Sequence, residues 1–385
     1  MTIRSAFDLG QWAAGVLPQQ YLRELVACAA IRPDAPLEPG QIQPASMDTR
    51  LGDEVWRVRT SFLPRRGESV RTMLRENKLY HYQLNEDDGL VLEVGATYII
   101  PLQEHLDLPA DIRGVASPKS TTGRLDIFCR IFTETGQRFD DIPAGYQGTV
   151  YLEVTPLSFP VRIRRGDRLV QLRLRSGDTE VDFRTIHSGN LKQLIFDEAG
   201  QPLPTQLAGG VKLSVGLQPS YPGQVMAFRA RANPPLVDLR GIEQHPWEHY
   251  WEALCTKDES LILYPNSFYI LASAEKVCVP SLFSCEMIPF DSTFGEVRVH
   301  YAGFFDPGFG LMDGAPQGTK AVLEIRNHGV PFRVTHGQQI CLMKYEWLSA
   351  QPETLYGDGI GSNYAQQEVK LAKQFTMPQK QELAA

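Results

Sequence analysis

The sequence predicts a mainly β protein made of two tandem, distorted β-barrels with a few short helices. Three observations predict it. First, short apolar runs recur between Gly, Pro, Asp and Asn turns, among them 91–100, 148–154, 168–174, 267–272, 297–302, 321–325 and 339–345. Evenly spaced short strands of this kind build sandwiches and barrels. Second, the long helical patterns required by a parallel α/β sheet are missing. Third, the chain repeats itself. Set against the residue 171 positions later, Thr97-Tyr98-Ile99 meets Phe268-Tyr269-Ile270, Glu104 and Pro109 meet Glu275 and Pro280, Leu152-Glu153 meets Leu323-Glu324, and Gly166 meets Gly337. A repeat of this length marks a duplicated structural unit.

Gly, Pro and Gln accumulate near 188–210 and place the boundary there. The expected division is therefore an N-terminal barrel over 1–190, a linker over 191–210 and a C-terminal barrel over 211–385. Within the first unit, Pro18 starts a helix whose Leu22, Leu25, Val26 and Ala29 share one face, and Pro33 and Pro36 stop it. A second helix is expected over Pro246–Cys255.

Composition narrows the function. Hydrophobic residues make up 43% of the 385 residues and charged residues 22%, which are globular values. A formal net charge of −7 argues against a nucleic-acid coat, which favours a basic domain, yet leaves room for a small anionic ligand held by local Arg and Lys. The six cysteines form no C-x-x-C pair and read as thiols of a reducing compartment. No apolar run approaches the ~18 residues that span a bilayer, and no secretory leader is evident. A cytoplasmic location is the expectation.

The chemistry is concentrated in Ser117-Pro118-Lys119-Ser120-Thr121-Thr122-Gly123-Arg124-Leu125. Hydroxyls, backbone N–H groups and two flanking cations suit a phosphate, although Ser, Thr, Gly and Pro are also ordinary turn residues. Downstream, the acidic turn 139–148 leads into Thr149-Val150-Tyr151-Leu152-Glu153. A carboxylate within an apolar strand is exposed, paired or raised in pKa, and a pKa raised toward neutrality suits a general acid/base. Glu324 repeats this arrangement in the second half.

These residues resemble the dCTP deaminase branch of the dUTPase-like superfamily. The likeness extends to Ile42–Gly52, to Asp306-Pro307-Gly308-Phe309, to Ala321-Val322-Leu323-Glu324 and to the C-terminal run from Tyr356 to Gln367. The whole chain is similar to the long, duplicated form of that enzyme. The resemblance implies dUTPase-like barrels, a nucleotide at the seam between neighbouring barrels, and conversion of dCTP to dUTP and ammonia by water attack on cytosine C4. It implies Ser120, Arg124 and a strand Glu (Glu153 or Glu324) as catalytic residues. Lys119, Thr121, Thr122, Asp141, Tyr151, Asp306, Val322, Tyr356, Asn363 and Gln367 are implied to bind substrate. Mg²⁺ would accompany the triphosphate, no zinc or other protein-bound metal would take part, and three chains would form a homotrimer of six barrels. Neither nucleic acid nor a membrane is an expected partner.

The halves differ. At the repeat offset Ser120 faces Asp291 and Arg124 faces Gly295, so the second half lacks the cradle, whereas the first lacks the closing tail. Asn363 stands where the family's tail carries Lys. The expectation is a composite site, with Arg124 and Ser120 from one half and Tyr356 and Gln367 from the other. Three other readings compete. A zinc deaminase requires H-x-E and P-C-x-x-C, which are absent. A dUTPase activity, alone or in addition, would use Asp141 ahead of Tyr146-Gln147-Gly148. A duplicated barrel could also bind nucleotides without turning them over. His245 and His249, four apart on the expected second helix, offer a metal pair with no third ligand nearby.

Overall fold

The computed structural model describes residues 12–65, 67–181, 193–204, 210–289, 297–299, 303–357 and 369–377. The duplication holds in three dimensions. In the first half the strand Thr97–Pro101 lies between Glu54–Val58 and Val150–Pro156; in the second, Phe268–Val277 lies between Val225–Ala230 and Thr319–Asn327. The registers match: Tyr98 faces Arg57 and Val154, and Tyr269 faces Arg229 and Ile325. Ile112–Pro118 pairs with Val170–Ser176 as Phe283–Pro289 pairs with Gln339–Trp347, with Ile112 opposite Ser176 and Phe283 opposite Trp347.

Single hydrogen bonds repeat as well. The Tyr98 hydroxyl accepts from the Glu93 N–H at 3.1 Å, and the Tyr269 hydroxyl accepts from the Tyr264 N–H at 2.8 Å. Glu104 accepts from the Arg50 N–H, and Glu275 from the Ser214 N–H. The shared Tyr and Glu positions are thereby explained as fasteners of the barrel: each satisfies a backbone donor that no ladder reaches.

The two barrels do not have two separate cores. One cluster centres on Leu106, Ile112, Leu152 and Leu172 of the first half, but Phe228, Trp251, Phe268, Val322, Leu371 and Phe375 of the second half are buried in it. The other cluster, around Leu213, Tyr269, Leu323 and Met343, lies almost wholly within the second half. The strand Thr319–Asn327 makes this possible because successive side chains alternate faces. Ala321, Leu323 and Ile325 enter their own barrel, while Val322 joins the first-half core. Further stitches join the halves. Val161–Arg162 pairs in parallel with Val237–Asp238, and Arg175 holds Glu346, its own counterpart 171 residues on, at 2.6 Å.

Among the described residues there are three α-helices: α1 (Gln19–Ala27), α2 (Val70–Asn77) and α3 (Ser120–Arg124). The first is the expected one, with Leu22 and Leu25 buried. Four expectations are corrected. The helix expected over Pro246–Cys255 is a 3-10 turn, Trp247–His249, followed by the strand Trp251–Cys255, which the neighbouring strand Val225–Ala230 captures into its ladder. His245 and His249 therefore share no helix face, and the His245 ring instead meets the Tyr250 hydroxyl at 3.2 Å. The run 91–100 is divided into Leu90–Leu92 and Thr97–Pro101 by a turn at Gly95, whose φ of 77° suits glycine. Within the expected linker, Ile195–Phe196 pairs with Lys276–Val277 and so belongs to the second barrel.

Candidate active site

The phosphate-cradle motif forms α3, a single helical turn directly after the strand Ile112–Pro118. Ladder pairing carries that strand to Pro118, opposite Val170, and Lys119 then turns the chain into the helix with an extended backbone. Ser120 is exposed at its first position. The Thr122 hydroxyl donates to the Leu169 carbonyl at 2.7 Å, and the Lys119 ammonium pairs with Asp48. The motif is thus anchored by two of its own polar side chains.

Arg124, at the last position of α3, runs inward and is 2% exposed. One of its Nη atoms donates to the Lys370 carbonyl at 3.1 Å, and its Nε lies 3.6 Å from Oε1 of Glu324. At that separation the contact is an ion pair and not a hydrogen bond. Glu324 comes from the other half, on the face of its strand that looks toward the first barrel. Burial raises its pKa to about 7, and the guanidinium beside it opposes that rise without cancelling it. A carboxyl group poised near neutrality against a fixed cation can both take and return a proton.

A second pair lies two residues along each chain segment. Arg326 reaches Asp126, which is fully buried and has a left-handed φ of 51°. Asp126 also accepts from the Ser158 hydroxyl at 2.5 Å, and Arg326 donates to the Asn266 carbonyl at 2.8 Å. The seam is therefore held by crossed pairs: Arg124 with Glu324, and Asp126 with Arg326. Sequence reasoning missed the second pair. Its signal was present in the alternation of charge at 124/126 and 324/326.

Glu153 has different surroundings. It is 2% exposed and faces Arg130 and Ile99 on the two flanking strands of its own sheet. Burial raises its pKa, while a hydrogen bond from Ser61 and the charge of Arg130 oppose the rise. Tyr151, on the same face, packs on Phe132 and donates to Glu134 at 2.5 Å. Tyr151 is thus committed to this first-half cluster and is not brought to the Arg124–Glu324 pair. Asp141 sits opposite Val115 in a two-residue strand, also away from that pair. Its neighbour Asp140, which was not anticipated, is the more confined group: burial raises its pKa to about 7, and it accepts from the Ile131 N–H at 2.9 Å.

The remaining predicted residues fall in three places. Asp306 is buried, with its pKa raised by burial, and accepts from Arg173 at 3.2 Å and from the Ser46 hydroxyl at 3.4 Å. The Tyr356 N–H donates to the Pro307 carbonyl at 2.8 Å and its ring packs on Phe309, so the tail begins against this turn. Val322 is core. Asn363 and Gln367 lie outside the described residues. Thr121 and Lys119 open onto a cleft of about 600 Å³ between the halves.

Comparison with known proteins places the chain in a family. A family model described as the 2'-deoxycytidine 5'-triphosphate deaminase N-terminal domain matches residues 13–178, and one described as the C-terminal domain of the same enzyme matches 182–375. The chain belongs to the 2'-deoxycytidine 5'-triphosphate deaminase family. A solved structure of that deaminase from Agrobacterium tumefaciens superposes with a TM-score of 0.83 at 42% identity, covering 91% of this chain and 100% of that one. Shorter relatives match as well. The dUMP-forming dCTP deaminase of Methanoculleus marisnigri is 32% identical over 161 residues, which is 41% of this chain and 78% of that protein. The dCTP deaminase of Ignicoccus hospitalis is 24% identical over 149 residues, 38% of this chain and 75% of that protein. Most of a short relative fits within less than half of this chain, in keeping with two copies here.

Proposed function

We propose that the chain hydrolyses dCTP to dUTP and ammonia at the seam between its own halves, with Glu324 as the proton carrier. The observation that carries this reading is the buried pair formed by Arg124 of one half and Glu324 of the other, with the carboxyl raised to about pH 7. In this reading Glu324 takes a proton from the attacking water as oxygen bonds to C4. It passes that proton to N3, then takes the remaining hydroxyl proton at C4 and delivers it to the departing amine, so that C4 becomes a carbonyl, N3 carries a hydrogen and ammonia leaves. Arg124 holds the carboxylate and keeps it ionisable at neutral pH. Ser120, exposed at the start of α3, helps to position the water.

Mg²⁺, carried on the triphosphate, would supply charge neutralisation there. The reaction is proposed to need no zinc, since both zinc-deaminase motifs are missing from the sequence. Among the described residues no three His, Cys, Asp or Glu side chains come together as metal ligands. A homotrimer of six barrels is the assembly proposed. None of the described helices is long and apolar enough to cross a membrane.

The test is ammonia release from dCTP by wild type and by Glu324→Gln and Glu153→Gln proteins. Loss in the first with retention in the second is expected. Full activity in Glu324→Gln would sink the mechanism, and no release by wild type would favour a nucleotide-binding assembly protein. A second reading, deamination followed by cleavage to dUMP, draws support from the dUMP-forming names of relatives such as that of Methanoculleus marisnigri. Pyrophosphate released in step with ammonia would establish it, with Asp141 as the residue to test.

A further inference from the structure

Glu324 shares its strand face with a second guanidinium. Side chains two residues apart on a strand point the same way, with their Cα atoms roughly 6–7 Å apart. Arg326 therefore stands beside Glu324 on the face that looks toward the first barrel, and both residues are buried. A cation within about 4–6 Å lowers a carboxyl pKa by about 1–3 pH units. Left with its full charge, Arg326 would draw Glu324 back toward an ordinary carboxylate, a weaker base at neutral pH.

Asp126 answers that charge. One Nη of Arg326 pairs with Oδ2 of Asp126, and its Nε reaches Oδ1 at 3.4 Å. The other Nη donates to the Asn266 carbonyl at 2.8 Å, and the first also reaches the Ser158 hydroxyl at 3.1 Å. Asp126 is held just as firmly. Its N–H donates to the Gly123 carbonyl at 2.9 Å and its carbonyl accepts from the Leu157 N–H at 2.9 Å, which fixes it just past the end of α3, two residues beyond Arg124. The pair thus pins the strand of Glu324 against the helix of Arg124, and it does so without leaving a net charge beside the carboxyl.

Other elements also bring groups to this place. The Cys341 thiol, on the strand Gln339–Trp347, is kept protonated by burial and by the charges of Glu275 and Glu324. Ile270 is opposite Glu324 in the ladder, and Arg298 is opposite Arg326. Lys370 lies near Arg124; burial, and then that guanidinium, push its pKa down, while Glu243 opposes them.

We propose that Asp126 is a positioning residue for the deamination: by binding Arg326 it fixes Glu324 beside Arg124 and cancels a charge that would weaken Glu324 as a base. The chemical role rests on the deaminase reading; the electrostatic coupling does not.

The pH profile of kcat at saturating dCTP tests the role. In wild type, ammonia release should rise with pH through about 7, as Glu324 ionises. In Asp126→Asn protein that limb should move down by at least one pH unit, and kcat at pH 8 should fall roughly tenfold. Asp126→Asn/Arg326→Gln, a neutral pair, should bring the limb back to within about half a pH unit of wild type. A purely structural role would lower kcat at every pH and leave the limb in place. An unmoved limb in Asp126→Asn, or a double variant displaced as far as the single one, would overturn the proposal. Asp126→Ser, smaller and equally uncharged, should shift the limb in the same direction and replaces Asp126→Asn if that protein does not fold. A second measurement needs no turnover. The gain in denaturant midpoint that Glu324→Gln brings above pH 8 should shrink in the Asp126→Asn background, because a carboxyl with a lower folded pKa loses less stability as pH rises. If wild type releases no ammonia, the deaminase reading fails and this gain alone decides the coupling: a gain of unchanged size would overturn it. If wild type is active and neither the limb nor the gain responds, the proposal fails and the deaminase reading stands.

Discussion

Glu153 and Glu324 occupy the same place in two copies of one strand, both buried and both raised in pKa by that burial. Their partners separate them. Glu153 is answered from within its own sheet and packs beside Tyr151 and Ile99, so the first half closes over it unaided. Glu324 is answered by Arg124 across the seam, and its neighbour Arg326 by Asp126. Duplicated strands thus take their chemistry from whatever packs on their outer faces. Only one of these two faces has a cradle against it.

The largest way to break this comparison is Glu324→Gln. Removing a general acid/base costs about 10²–10⁴-fold in rate, so kcat for ammonia release should fall by that order. Next comes Arg326→Met, which leaves the buried Asp126 without its cation. Breaking such a pair costs about 3–5 kcal/mol, read as a fall in the denaturant midpoint. An unaltered midpoint would show that the crossed pairs do not hold the seam.

The third test sets stability against activity at a single residue. The folded pKa of Glu324, about 7, lies above the ordinary carboxyl value of 4.5. The group therefore favours the folded state fully below pH 4.5, and that contribution is lost as pH rises through 7. Glu324→Gln should then stabilise the protein above pH 8, by roughly 3 kcal/mol at most, while lowering kcat by the factor above. Equal stability of the two proteins from pH 5 to pH 9 would contradict the raised pKa. The smallest effect belongs to Glu153→Gln, expected to change kcat and KM by no more than a few-fold. A loss matching that of Glu324→Gln would abolish the distinction between the halves.

The assembly can be judged by the same comparison. Because Arg124 and Glu324 meet within one chain, the pair does not depend on a partner chain. A stable monomer in solution would count against the homotrimer and leave the seam site intact.

Much of this was legible from residue order. The strand segments, α1, the repeat and both strand carboxylates could be read because each has a local signature in periodicity or turn chemistry. The stretch after Pro246 was misread as helix because its aromatic residues fit either period, and the neighbouring ladder decided the outcome. Tyr151 and Asp141 were assigned to the substrate through resemblance to the family, but which half a face looks toward is not written along a strand. Asp126 and Arg326 escaped notice for a related reason: a buried ion pair is a property of two distant segments.

By itself the sequence determined that this chain is a duplicated, β-rich protein with one phosphate-like motif and two strand carboxylates. Those features are repeated locally, residue after residue. Only the tertiary structure decided that Glu324, and not Glu153, faces Arg124. The side chains of a strand alternate between two faces, and the fold chooses which of those faces another barrel will cover.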